Sequence, residues 1–202
     1  MQNIKFFSLS TILIASLFVG CGGVKDKGFT YKVVKSPITG REWLDRNLGA
    51  TQACSNSLDK DCYGDYYQWG RLTDGHEKRS SGITKEEATG ITDAGSNFIL
   101  NSYDWTKADS NGENRANLWG DTKGKGICPV GFRVPLVSEL LEETDIEFLN
   151  LPKSGKREKM MGEVVDGFGS IGQIWTVNVP RPDTYSGWYF FHSRVTGLPV
   201  RC

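Results

Sequence analysis

Cysteine, histidine and clustered carboxylates are the side chains here most able to do chemistry, and their spacing limits what that chemistry is. The chain has five cysteines and two histidines, His76 and His192. No CxxC or HxxxH spacing occurs and neither histidine lies near a cysteine, so a structural zinc site is a poor fit. Cys54, Cys62, Cys128 and Cys202 form an even set, which in an exported protein reads as disulfides with three possible pairings. Proximity favours Cys54–Cys62, leaving Cys128–Cys202 as the second bridge.

Other groups suggest binding more than catalysis. His76 follows Asp74-Gly75 and reads as a turn-stabilising or ligand-contacting residue. Asp109, Asn111 and Glu113 concentrate hard oxygen atoms and are the candidate calcium ligands, although the loop lacks the full pattern of a calcium-binding loop. It reads mainly as a solvated Asx-rich turn. Asp45-Arg46-Asn47 and Arg71 are expected to form a buried polar network beside Trp43 and Trp69. Glu139, Glu142 and Glu143 would be the carboxylates of a glycosidase, but their spacing reads as the solvated face of a helix. Trp188-Tyr189-Phe190-Phe191 alternates along an expected strand, so an exposed Trp188 or Tyr189 would stack on a sugar ring or a protein partner. No nucleophile with an acid–base pair is evident, so the domain is not read as an enzyme.

Elements must hold these groups in place. Phe29–Val34 and Arg41–Asp45 read as a hairpin around Ser36-Pro37-Ile38-Thr39-Gly40. Residues 54–126 are rich in Gly, Ser, Asn and Asp and read as long loops, with Thr84-x-x-Glu87 capping one brief helix. Leu140–Leu151 has helical spacing with Ser138 as its N-cap, and Thr144-x-x-Glu147 divides it in two. Gln173–Val177, Gly187–His192 and Leu198–Cys202 read as strands. Two β-rich ends around a helical segment predict an α+β domain.

Ahead of that domain, Lys5 and the apolar run from Leu9 to Gly20 read as a signal peptide (residues 1–20), the run being too short for the roughly 20 residues of a membrane span. Leu17-Phe18-Val19-Gly20-Cys21 resembles the bacterial lipobox, in which the cysteine is acylated and becomes the first mature residue. The resemblance implies lipid on Cys21, a tether over residues 21–28 and attachment to a membrane of the bacterial envelope. Two acyl chains give stable anchoring. Gly22, rather than an Asp retention signal, favours the outer membrane or cell surface.

Acidic and basic residues balance at 24 each, so the chain has no electrostatic footprint for nucleic acid. Twenty-four glycines with six Trp, seven Tyr and ten Phe suit a loop-rich, strand-containing extracellular domain.

Ser36-Pro37-Ile38-Thr39-Gly40-Arg41-Glu42-Trp43-Leu44-Asp45-Arg46-Asn47-Leu48-Gly49-Ala50, Tyr63-Gly64-Asp65-Tyr66-Tyr67-Gln68-Trp69-Gly70-Arg71, Asn117-Leu118-Trp119, Cys128-Pro129-Val130-Gly131-Phe132-Arg133-Val134-Pro135 and Val200-Arg201-Cys202 occur in this order. Together they resemble the Fibrobacter succinogenes major paralogous domain family over residues 29–202. The pattern is also similar to C-type-lectin-like and formylglycine-generating-enzyme-like domains. The resemblance implies a C-type-lectin-like fold of small antiparallel sheets with one or two short helices, on an extracytoplasmic lipoprotein with disulfides. It further implies a non-enzymatic module gripping a glycan or a surface protein, or an envelope component without a dedicated ligand. Leu136 departs from the family's Thr or Ser, leaving Glu139 without a capping partner three residues back; a helix start at Ser138 would compensate.

Overall fold

A computed structural model describes residues 23–100, 103–143, 147–160, 163–167, 173–178 and 193–202. Cys21, Trp188 and Tyr189 lie outside the described residues, as does the strand expected over 187–192. In chain order the strands are β1 (Val24–Asp26), β2 (Phe29–Tyr31), β3 (Val33–Lys35), β4 (Glu42–Leu44), β5 (Tyr67–Gln68), β6 (Ile83–Thr84), β7 (Phe98–Ile99), β8 (Lys156–Met160), β9 (Glu163–Gly167) and β10 (Gly197–Leu198). Helices α1 (Glu113–Trp119) and α2 (Val137–Glu142) lie between β7 and β8. This is an α+β arrangement of small, mainly antiparallel sheets, as expected. Among the described residues no helix is long and apolar enough to cross a membrane.

The expected hairpin forms, with Val34 opposite Trp43 in the β3–β4 ladder. Its first strand is not continuous with β2. At Lys32 the carbonyl accepts the Asp45 N–H while the Lys32 N–H turns to the Asp45 carboxylate, so β2 pairs elsewhere. Its partner is β1, with Asp26 opposite Phe29. The two residues between them, Lys27 and Gly28, have φ of 45° and 87°. Positive φ at both positions makes the twist of a tight hairpin. The tether expected over residues 21–28 is therefore already folded from Val24.

A four-stranded sheet runs in the order β5-β10-β8-β9, with Leu198 opposite Tyr67 and Gly197 opposite Arg157. The helix expected from Thr84 is instead β6, paired in parallel with β7. Fully buried Phe98 and Ile99 draw the chain into that ladder, and the Thr84 hydroxyl accepts the Glu86 N–H, closing a local turn rather than a helix. Gln173–Val177 does not form a ladder. Among the described residues its backbone N–H groups donate from Trp175 to Pro199 and from Val177 to Pro135, prolines that cannot donate in return.

The core explains how so little regular structure holds together. Trp43, Trp69, Trp119 and Trp175 are buried as expected, with Trp105 beside them. Four of these indole N–H groups donate to loop carbonyls: Trp69 to Thr176, Trp105 to Trp69, Trp119 to Arg71 and Trp175 to Tyr67. Each indole thus removes apolar area from water and also ties a distant loop to the core. Arg115 lies over Trp69 and Trp105, with Arg71 over Trp105 and Arg194 over Trp69. Asp104 bridges Arg115 and Arg194 while Asp109 holds Arg115, so these buried cations have carboxylate partners. Both bridges form as proximity suggested, Cys54–Cys62 and Cys128–Cys202.

Candidate functional site

An open cleft of about 450 Å³ lies between the start of β4, the Gly131–Pro135 segment and the first turn of α2. Arg41, Trp43, Phe132, Arg133, Glu139 and Cys202 are among its walls. The local fold explains why these side chains meet. Gly131 has φ of 90°, and its N–H donates to Thr122, turning the chain so that Phe132 and Arg133 face the helix. The helix then begins at Val137, with its N-cap two residues ahead of the expected Ser138. Extended Leu136 is the N-cap; it has no side-chain oxygen, and the Glu139 N–H donates to its backbone carbonyl at 3.1 Å. What remains of the capping box is its glutamate half, with the Glu139 carboxylate accepting the Leu136 N–H at 2.7 Å. Arg133 donates to both Glu139 oxygens, at 2.9 and 2.5 Å, and so fixes that carboxylate across the helix start.

Arg41 closes the other wall. It donates to the Glu139 carbonyl at 3.2 Å, to Glu142 at 2.8 Å and to Glu143 at 3.4 Å. The Arg41 and Arg133 side chains are each 31% exposed, so part of each guanidinium fork faces solvent. Burial raises the Glu139 carboxyl, but Arg133, the Leu136 N–H and Arg41 outweigh it and hold the group below the ordinary range. The cleft therefore presents fixed, charge-compensated donors beside the Phe132 ring.

Glu143 corrects an expectation. Of the three helix carboxylates read as a solvated face, only Glu142 is well exposed, whereas the Glu143 side chain is 0% exposed. The helix ends at Glu142, and the next residue turns under it onto the β3–β4 turn. There Glu143 accepts from the Ser36 and Thr39 hydroxyls and the Trp43 indole N–H, besides Arg41. Burial raises its carboxyl, yet the Ser36, Thr39 and Trp43 donors and the Arg41 charge bring it below the ordinary value. Glu143 fastens the two sides of the cleft together.

His76 is fully buried and does not meet solvent. Its Nδ1 lies 2.6 Å from Asp74 and its Nε2 accepts the Gln68 N–H at 3.2 Å, which assigns a neutral ring with the proton on Nδ1. Burial lowers its pKa, with the Asp74 hydrogen bond acting in the opposite direction. Asp74, His76 and Glu77 bring ligand-type atoms within 4.8 Å of one another, but these atoms are committed. Freeing Nδ1 for a cation would shift the proton to Nε2, against the Gln68 N–H, and Glu77 already accepts the Asp74 and Gly75 N–H groups. In this arrangement the three side chains lock the turn.

The buried networks expected around Arg71 and Asp45-Arg46-Asn47 are present. Arg71 holds Gln68, Asp74 and the carbonyls of Ala94, Gly95 and Asn97, so it shapes the loop ahead of β7. Arg46 joins Asp45 to the Thr30 and Ala50 carbonyls. Asn47 meets Arg201, whose pKa burial lowers to about 9.

The oxygen cluster of Asp109, Asn111 and Glu113 is engaged in hydrogen bonds around the start of α1. Asp109 is buried, and its carboxylate accepts from the Asn114 and Arg115 N–H groups, the Asn114 amide and the Arg115 guanidinium. Asn111 accepts the Glu113 N–H, while the Glu113 residue is exposed. A carboxylate already facing a guanidinium and three N–H donors is a helix-start clamp, and it offers a cation little free charge. Reading the sequence alone missed Arg41, Arg133 and Glu143 as partners. The Arg133-to-Glu139 spacing was the available signal, but no helical or strand period marks it. Comparison with family models, with curated proteins and with solved structures finds no match to this chain.

Proposed function

We propose that this is a lipid-anchored bacterial envelope protein, non-enzymatic and C-type-lectin-like, that binds a glycan in the cleft between Arg41, Phe132, Arg133 and Glu139. The observation that carries the reading is the fixed Arg133–Glu139 fork beside a half-buried aromatic ring in an open cleft. Sugars are bound by planar charged groups that hydrogen-bond hydroxyls and by an aromatic face that takes the apolar side of the ring. Hydrolysis is disfavoured, because a glycosidase needs one carboxyl with a raised pKa. Glu139 and Glu143 are both held below their ordinary values.

A glycan array with the wild-type protein, Phe132→Ala and Arg133→Lys tests this. Saturable binding is expected for the wild type, weakened at least about ten-fold in both variants, each a loss of about 1.4 kcal/mol or more. The variants should melt within a few degrees of the wild type, and a chelator should leave binding unchanged. Unaltered binding by both variants would remove the cleft from consideration. No saturable binding at high protein concentration would refute the glycan reading.

A further inference from the structure

The chain between the proposed lipid and the folded domain is short. Two residues, Gly22 and Gly23, separate Cys21 from β1. Three residue steps span at most about 10 Å even when fully extended. β1 is not a loose arm, because Val24 and Phe29 pack against the main core and Tyr31 is part of it. A Cβ on Gly23 would fall 2.4 Å from the Tyr31 carbonyl oxygen, so the chain is closely seated by that residue.

Charge on this hairpin is uneven, although the whole chain is neutral. Residues 23–35 carry Lys25, Lys27, Lys32 and Lys35 against the single acid Asp26. Asp26 is paired with Lys27, whose ammonium also donates to the Ile127 carbonyl. Lys25 and Thr30 are opposite each other in the ladder, and both are exposed. Lys32 is exposed two residues beyond Thr30, on the same side of the extended chain. Lys32 directly follows Tyr31, which is opposite Val24, the first residue of β1 and three positions from Cys21. The neighbouring acid, Asp45, is held by Arg46.

We infer that the β1–β2 hairpin is a membrane-docking face, with Lys25 and Lys32 resting on the anionic headgroups of the bilayer that holds the Cys21 lipid. This rests on the proposed lipid anchor. The anchor keeps both lysines within about one Debye length of the surface, where their attraction to anionic lipid is little screened. Lys27 and Asp26 neutralise each other and stiffen the turn. The domain is then held flush on the membrane, not suspended above it.

The test uses the protein isolated from bacterial membranes and reconstituted into vesicles, either phosphatidylcholine alone or phosphatidylcholine with one-third phosphatidylglycerol. Lysines are labelled with a water-soluble amine reagent and read by peptide mass spectrometry. Lys25 and Lys32 should label at least about five-fold less in the anionic vesicles, the bias expected of one cation at such a surface. Lys60 and Lys107 should label equally in both. In Lys25→Gln/Lys32→Gln, hairpin protection by anionic lipid, read as trypsin cleavage after Lys27, should disappear. Equal labelling of Lys25 and Lys32 in the two vesicle types, with diacylglycerol found on Cys21, would overturn the docking face alone. An N-terminal peptide without lipid would overturn the anchor and the docking face together.

Discussion

Replacing Glu143 by alanine is expected to loosen the cleft and the domain together. The carboxylate accepts from two groups that water cannot readily reach, the Ser36 hydroxyl and the Trp43 indole N–H, on residues 3% and 2% exposed. Each buried donor left without a partner costs about 1–3 kcal/mol. Thr39 is exposed and finds water instead, and the Arg41 ion pair, partly in solvent, adds little. The expected loss is about 3 kcal/mol, or about 6–12 °C in melting temperature for a domain of this size. Glu143→Gln keeps one acceptor oxygen and the side-chain shape, so it should lose about half as much. The pH dependence has a definite sign. A carboxyl whose folded pKa lies below its reference value of 4.5 stabilises the fold fully above that value. That stability is lost as pH falls through the lower folded pKa. The difference between wild type and Glu143→Gln should therefore be constant from pH 8 to 6 and shrink from about pH 4.5 downward. Thermal unfolding followed by circular dichroism, with the disulfides intact, measures it. An alanine variant melting within 1 °C of the wild type, or a gap that widens in acid, would refute the reasoning.

Loop-closure entropy separates the two bridges. Their sequence separations of 74 and 8 give about 4.5 kcal/mol for Cys128–Cys202 and about 2.5 kcal/mol for Cys54–Cys62. Paired Cys→Ser variants compared by urea unfolding should follow that order, and the folded wild type should yield no reactive thiol among these four. Burial depresses the His76 pKa, so its neutral form stabilises the fold above the ordinary value of 6.5 and that stability fades as pH falls below it. Nitrogen-detected NMR should show its ring neutral with the proton on Nδ1 at pH 6.5, and a ring fully charged at that pH would contradict the assignment.

What the sequence makes legible follows the range of the interaction. The β3–β4 hairpin is readable because its turn residues and its alternating Val34 and Trp43 are local. The short bridge is readable for the same reason, and the long one follows by pairing the cysteines that remain. Burial of the tryptophans is readable from residue type, but their bonding is not. Trp69 donates to a carbonyl 107 residues away, and Gln68 pairs with Gly197 across the sheet. Such contacts leave no period in the sequence. The β1–β2 turn was missed because Lys-Gly is not the usual Asn-Gly signature of a two-residue hairpin. The helix start was misplaced because its cap depends on Arg133, a residue outside the helix and outside any capping rule. Glu143 was misassigned because helical spacing placed it among solvated acids, whereas the helix had already ended.

The hairpin next to the proposed anchor and the cleft are joined by a short chain of contacts. Lys27, in the hairpin turn, donates to the Ile127 carbonyl, and Ile127 precedes Cys128. Cys128 is bonded to Cys202, which lines the cleft and whose carbonyl accepts the Leu44 N–H of β4. Val24, Phe29 and Tyr31 seat the hairpin on the core as well, so the cleft's direction relative to the hairpin is set by these contacts rather than by linker length. A flexible tether would let a binding site search in all directions, with the local concentration that tether length dictates. A domain seated flush instead presents its cleft at one height and one angle. Glycan next to the membrane would then be reached, and glycan further out would not. Inserting a Gly/Ser linker after Gly22 separates these cases: affinity for a soluble oligosaccharide should stay as in the wild type, while capture of a membrane-proximal glycan should fall as the linker lengthens.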